Sequence, residues 1–178
     1  MAFSSNFFLF AFLPVFLVIY ILSPRSWRNG ILLAGNFSFY FFDAGYLAWI
    51  LLASIVFNQV IALRLEKPTG SRRCAIFIIG VVGNLVVLFY YKYTRFLWGA
   101  ADPLLQFASI DIGPPPLIDL PIGISFFTFQ ALSYIADVFR DVTRPARTLV
   151  DFAAYHSLFP QLIAGPIVRY VEVENDLY

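Results

Sequence analysis

Few side chains in this sequence can do chemistry, and most of them sit inside apolar runs. His156 is the only histidine. It is an acid or base by type, with Asp151 and Ser157 close by in sequence. Adjacency along a chain is not the geometry of a Ser-His-Asp set, and a lone histidine in an apolar stretch also reads as a satisfied core residue. Within 121–139 the polar residues are Ser125, Thr128, Gln130, Ser133, Tyr134 and Asp137. Gln130, Tyr134 and Asp137 are separated by four and three residues, so on a helix they share one face. A polar stripe on a lipid-bound helix has to look toward protein or water. Asp137 is also spaced to pair with Arg140, and an end-of-helix ion pair competes with a substrate contact as its explanation. Asn36, Asn58, Gln59 and Asn84 are uncharged and read as hydrogen-bonding glue between helices.

Several classes of chemistry have no signal. No His/Cys/Asp/Glu set has the spacing of a metal site, and Cys74, the single cysteine, forms no internal disulfide framework. Phosphate-loop, dinucleotide-binding and zinc-protease motifs are absent. No basic patch with interleaved aromatics points to nucleic acid.

The elements that must carry these residues follow from composition. The chain has 178 residues, 60% hydrophobic, 19% aromatic and only 13% charged, with mean hydropathy +0.77. Soluble domains carry about 25% charged residues, so this chain needs lipid to cover its apolar area. A crossing helix takes about 20 apolar residues. The sequence predicts an all-α, polytopic transmembrane helical bundle forming one membrane domain over 1–178, with about five crossings at 6–22, 30–42, 46–65, 74–91 and 121–139. Met1 to Leu22 reads as an uncleaved first span. No Lys or Arg precedes Arg25, and Leu22-Ser23-Pro24 offers no small-x-small cleavage site. Pro14 is tolerated inside a membrane helix, and Pro121 suits a first helical turn. Lys92 to Leu120 is expected to be a long external connection with an interfacial start. The stretch 149–170 is apolar but interrupted by Pro160, Gly165 and Pro166. It is expected to be a broken, kinked or re-entrant helix, which survives at membrane depth only where protein or a wet cavity surrounds it.

The short segment 30–42 decides the orientation. If it crosses, with Asp43 to Gly45 as a tight turn and the N-terminus outside, then Arg25, Arg28, Arg64, Lys67, Arg72, Arg73, Arg140, Arg144 and Arg147 all lie inside. Only Lys92 and Arg95 then lie outside. Cytoplasmic loops carry the excess of Lys and Arg, so this arrangement is the one expected.

Three stretches resemble a known family. The opening Met1-Ala-Phe-Ser-Ser-Asn-Phe-Phe-Leu-Phe with Leu13-Pro14, the run Leu120-Pro-Ile-Gly-Ile-Ser-Phe-Phe through Ser133-Tyr-Ile-Ala-Asp-Val-Phe-Arg140, and Asp151-Phe-Ala-Ala-Tyr with Phe159-Pro-Gln-Leu-Ile-Ala-Gly-Pro-Ile-Val-Arg169 are similar to the alginate O-acetyltransferase branch of the membrane-bound O-acyltransferases. Lys92-Tyr93 after a tyrosine-rich helix end also fits. The related branch that transfers D-alanine to teichoic acids shares part of the pattern. The resemblance implies an enzyme of the bacterial cytoplasmic (inner) membrane. An acyl thioester, acetyl-CoA or an acyl carrier, arrives from the cytoplasm as a substrate rather than a resident cofactor. The acyl group passes to a hydroxyl of a polysaccharide acceptor on the far side, with periplasmic or extracellular acetylation proteins as partners and membrane lipid around it. The family histidine expected to act as base lies in a later membrane helix. His156 does not align with it, so no catalytic residue is expected in this stretch, which would form the N-terminal wall of the enzyme and be inactive alone. Pro121, Gly123, Pro160, Gly165 and Pro166 are then the structural residues of the two motifs. Gln130, Tyr134, Asp137, Gln161 and Arg169 are the candidates for lining the substrate channel. A different class, a non-catalytic membrane scaffold or transporter-like module, stands as the alternative; paired broken helices in two repeated halves would favour a transporter, and the sequence has none.

Overall fold

A computed structural model describes residues 6–107, 113–114, 116–163 and 165–177. All regular structure among them is helical. Residues 6–22 form one continuous helix, as the apolar run predicts. Its first part, Phe8–Phe12, is wound as a π-helix and leads into α1 (Leu13–Leu22). The wider spacing lies directly before Pro14, which has no N–H to donate to the preceding turn.

The segment 30–42 is longer in the structure than the apolar count suggests. Helix α2 runs over Arg25–Ala44, because Pro24 sits extended at its N-cap and the polar residues Arg25, Arg28 and Asn29 propagate helix as well as the apolar ones do. Gly45 ends α2 with φ 56° and ψ −130°, a backbone that a residue with a Cβ rarely adopts. A short 3₁₀ turn, Gly45–Leu47, then leads into α3 (Ala48–Leu65). The cross-chain hydrogen bonds show that α2 and α3 run in opposite directions. Asn29 and Asn36 reach Asp151 and Ala154 in ascending order, while Gln59 and Ser54 reach Ala146 and His156 in descending order.

Helix α4 covers Gly70–Phe107, which corrects the expected loop from Lys92 onward. Lys92 and Arg95 mark where apolar sequence gives way to polar. They do not mark the end of the helix, since both are good helix formers. The rest of that expected connection includes 108–112 and 115, which lie outside the described residues. Helix α5 (Ile124–Phe139) begins three residues later than Pro121. Gly123 takes φ 72° at its N-cap, so Pro121 precedes the helix instead of occupying its first turn.

The expected break in 149–170 is present at Gly165 and Pro166, but the one expected at Pro160 falls earlier. Helix α6 (Leu149–His156) stops at Ser157, before Pro160. Pro160 is the second residue of α7 (Phe159–Ile163), a position where its missing N–H costs no intrahelical bond. Residues 165–169, with Gly165 and Pro166, are non-helical and precede α8 (Tyr170–Val173).

Two helical runs, Trp27–Leu65 (folded back at Gly45) and Gly70–Ala101, are long and apolar enough to cross a membrane. Phe8–Leu22 and Ile124–Phe139 are shorter apolar helices. Helix α5 packs on α3 and α4, while α6 packs on both α2 and α3. Short α6 is therefore enclosed by protein, with Asp151 through Ser157 all buried. The main core joins Leu51, Ile55, Phe127, Tyr134, Ile135 and Phe152 with their neighbours. A second cluster seats Phe159 of α7 against Phe8, Phe12, Phe16 and Phe39, with ring centroids 5.4–6.2 Å apart. Elsewhere apolar side chains point outward: nothing in α1 is buried, and Ile78, Ile79, Val82, Val86 and Phe89 of α4 are exposed. That is the surface of a protein solvated by lipid.

Candidate functional site

The polar face expected on α5 is real and faces inward: Gln130, Tyr134 and Asp137 are all buried. Each is met by a different partner. The Gln130 amide donates to Gln161 Oε1 at 2.8 Å and to the Tyr155 carbonyl at 3.3 Å. Tyr134 donates to Gln59 Oε1 at 3.0 Å and accepts from the Ala146 N–H at 2.9 Å, while Gln59 Nε2 donates to the Ala146 carbonyl at 2.8 Å. This closed ring satisfies every polar atom it buries on α3, α5 and the 140–148 loop, as low-dielectric surroundings require.

Asp137 does not pair with Arg140, which is exposed. Its carboxylate is held by Arg169, Nε to Oδ2 at 3.1 Å and Nη2 to Oδ1 at 2.5 Å. Geometry decides this outcome. Asp137 faces inward, whereas Arg140 sits at the C-cap of α5 and turns to solvent. The guanidinium of Arg169 offers a two-pronged match to the carboxylate. The Asp137 side chain is 5% exposed and that of Arg169 is 45% exposed, so the pair sits at the mouth of a seam.

That seam joins the two motifs read in the sequence. Gln161 and Arg169 come from the Phe159–Arg169 element, and Gln130 and Asp137 from the α5 motif. Gly123 allows the approach of the two motifs, and Gly165 the tight fold of the second motif on itself. A Cβ on Gly123 would lie 2.4 Å from the Leu162 carbonyl oxygen, and one on Gly165 would lie 2.9 Å from the Pro160 carbonyl oxygen. Pro121 is buried and its carbonyl accepts from the Ile124 N–H at 3.2 Å, while Pro160 and Pro166 are exposed. Four of the five channel candidates, Gln130, Asp137, Gln161 and Arg169, therefore meet along this seam, while the hydroxyl of Tyr134 turns to α3 and the 140–148 loop.

His156 lies apart from this seam, at the end of α6. It is fully buried, stacked on Phe152 at 5.1 Å, and its Nε2 is 3.1 Å from Ser54 Oγ. Ser54 was not singled out by sequence, because a serine in an apolar helix carries no signal until a partner is known. Asp151 does not reach His156. It caps α6 through Thr148 and accepts from Asn29 at 2.7 Å, and Ser157 donates to the Ala153 carbonyl at 2.6 Å. No carboxylate orients the histidine, and among the described residues its Nδ1 has no partner, so the relay of a Ser-His-Asp set is not assembled. Asn58 and Asn84 exchange amide hydrogen bonds of 3.1 and 2.7 Å between α3 and α4, and Asn36 spans to the Ala154 carbonyl at 3.2 Å. These are the cross-helix roles expected of them.

Beside Ser54 a cleft of about 560 Å³ opens between α3, α4 and α5, walled by Trp49, Phe57, Val87 and Phe127, with Ser54, Asn84 and Thr128 as its polar lining. It suits an apolar chain carrying a polar group. Among the described residues no three His, Cys, Asp or Glu side chains converge as metal ligands.

No family model matches the chain, and no solved structure matches it. Curated proteins do. The chain is 42% identical over 172 residues to the probable alginate O-acetylase AlgI of Azotobacter vinelandii, covering 96% of this chain and 34% of that protein. It is 43% identical over 184 residues to the protein of the same name from Pseudomonas aeruginosa, covering 97% and 34%. It is 32% identical over 213 residues to the peptidoglycan O-acetyltransferase of Helicobacter pylori, covering 96% and 37%. The chain thus spans about a third of the length of these relatives. Along nearly all of its residues this membrane protein is similar to the N-terminal portion of the alginate O-acetylases of the membrane-bound O-acyltransferase family.

Proposed function

We propose that this chain is the N-terminal wall of an enzyme that O-acetylates an exported polysaccharide such as alginate. The observation that carries this reading is the similarity of nearly the entire chain to alginate O-acetylases. The donor is an acyl thioester, acetyl-CoA or an acyl carrier, delivered from the cytoplasm. In the transfer the acceptor hydroxyl oxygen forms a bond to the acyl carbon, the carbon–sulfur bond breaks, and the hydroxyl proton ends on the released thiol. The base for that proton belongs to the later portion found in the relatives. The stretch described here supplies positioning: the Gln130–Gln161 and Asp137–Arg169 contacts hold the broken α6–α7 segment against α5, beside the path of the acyl group.

The same reading has five crossings, N-terminus outside, in a bacterial cytoplasmic membrane, with acetylation proteins on the outer side as partners. The antiparallel course of α2 and α3 supports a crossing by 30–42, and the placement of nine basic residues at one side supports the orientation. Reporter fusions at Tyr46 and Lys67 test it: only the second should lie in the cytoplasm, and the reverse would overturn the orientation.

The activity is tested in the complete reading frame, expressed in a host whose own O-acetylase has been deleted. Acetyl esters on the exported polymer should be restored by the wild type. They should fall by about tenfold or more when Gln161 and Arg169 are both replaced, at equal membrane abundance. Full acetylation by that double variant would refute the positioning role, and no acetylation by the wild type on any candidate glycan would refute the activity. The similarity to a peptidoglycan O-acetyltransferase favours one second acceptor, so muramic acid acetylation belongs in the same assay.

A further inference from the structure

The turn between α3 and α4 carries a pocket that neither the polar seam nor the acyl path uses. It has a volume of about 590 Å³ and is lined by Leu63, Arg64, Lys67, Pro68, Arg72 and Ile76. Three of those six side chains are cationic. Among the described residues none of Arg64, Lys67 and Arg72 has a hydrogen-bond or ion-pair partner, whereas neighbouring Arg73 donates through both terminal nitrogens to Asp141, at 3.0 and 2.6 Å. Asp141 is thereby occupied, and within 64–73 the single carboxylate Glu66 faces the four cations Arg64, Lys67, Arg72 and Arg73 in sequence. No acidic residue stands in the first turn of α4, whose free N–H groups add positive potential. The site has an excess of positive charge and donors without acceptors.

The helix faces adjoining the pocket define what fits. On α3, Val56, Val60 and Leu63 follow at helical spacing and are exposed, and Lys67 stands in the turn two residues beyond the helix end. On α4, Arg72, Ile76, Ile79 and Val86 do the same, with Ile79 and Val86 exposed. Both apolar stripes end at a cation of the pocket. A soluble anion would use the cations and leave the stripes unused. A ligand with a phosphate at one end and hydrocarbon at the other uses both.

We propose that the α3–α4 turn is a binding site for one anionic phospholipid, its phosphate among Arg64, Lys67 and Arg72 and its acyl chains along the Val56–Leu63 and Ile79–Val86 stripes. The recognised chemistry is a phosphate ester, which a soluble thioester donor such as acetyl-CoA also carries. Charge complementarity continuous with apolar surface favours the lipid.

The test uses the complete protein in nanodiscs and in detergent, with native mass spectrometry to count retained lipid. Phosphatidylglycerol should be retained in preference to phosphatidylcholine. Each of R64Q, K67Q and R72Q should weaken that preference about fivefold, and the triple variant by about 100-fold, from the usual gain per basic residue at an anionic surface. R140Q, a cation outside the pocket, should change nothing. Thermal unfolding in phosphatidylcholine alone should be the same for wild type and variants; if the triple variant does not fold, the three single variants decide. Equal retention of phosphatidylglycerol by wild type and variants would overturn the proposal. So would its displacement by coenzyme A or inorganic phosphate at concentrations well below those that screen surface charge, because the site would then belong to a soluble phosphate. Absence of any headgroup preference in the wild type would overturn it as well.

Discussion

Arg169 and Asp137 should not be equivalent partners, because the pair is buried at one end only. Replacing Arg169 by Gln strands a carboxylate that is 5% exposed and has no other side-chain partner. Breaking a fully buried pair from one side costs about 3–5 kcal/mol. Water at the 45% exposed arginine end screens part of that loss, so about 2–3 kcal/mol is expected for R169Q. Replacing Asp137 by Asn instead strands a guanidinium that can turn to water, and the amide still accepts a hydrogen bond, so about 1 kcal/mol is expected. In the double variant the amide meets another amide, and the expected coupling is about 1–2 kcal/mol. R169Q should thus be the worst of the three, partly rescued by adding D137N. The measurement is thermal or denaturant unfolding of the purified protein in one fixed detergent, followed by tryptophan fluorescence. Equal destabilisation by the two single variants, or strict additivity in the double, would show that the pair is not an anchor of the Phe159–Arg169 element.

The Gly123 and Arg73 contacts yield two further expectations. Gly123→Ala combines a left-handed backbone, about 1–2 kcal/mol unfavourable for a residue with a Cβ, with a clash against the Leu162 carbonyl; it should destabilise by ~2 kcal/mol or more. Gly123→Asn tolerates the dihedral but keeps the clash, so full recovery with Asn would leave the α5–α7 contact without a role. The Arg73 hydrogen bond, opposed by desolvation and aided by the guanidinium charge, holds the Asp141 carboxyl below its usual range. A depressed folded-state pKa means that its contribution is complete above the unfolded value of about 3.9 and is lost as pH falls through the lower folded value. Wild type should therefore lose stability relative to R73Q as the pH falls below about 4, while the two run parallel between pH 6 and 8; a constant difference down to pH 2 would contradict the assignment.

How much was legible depended on whether a signal is local. Apolar runs locate helices because lipid imposes one requirement on every crossing residue, so 6–22, 46–65 and the core of α4 were readable without a partner. The face shared by Gln130, Tyr134 and Asp137 was readable for the same reason, since helical spacing is a property of one segment. The limits of α2 and α4 were not, because Arg28 or Lys92 ends a hydrophobic count without ending a helix. Pro160 was read as a break, although at the second position of α7 it begins a helix.

Partner choice lay beyond the chain's local pattern. Asp137 had a cation three residues away at Arg140, yet the fold gives it Arg169, because inward orientation matters more than distance in sequence. Ser54 became visible only when α6, wedged between α2 and α3, brought His156 within 3.1 Å. The residues by themselves determined that this protein lives in lipid, that it is helical, and which motifs it shares with the acyltransferases. Only the tertiary structure decided which polar groups meet across helices, since a buried amide or carboxylate that its own helix cannot satisfy must find a partner on another, and no single segment encodes where that helix will be.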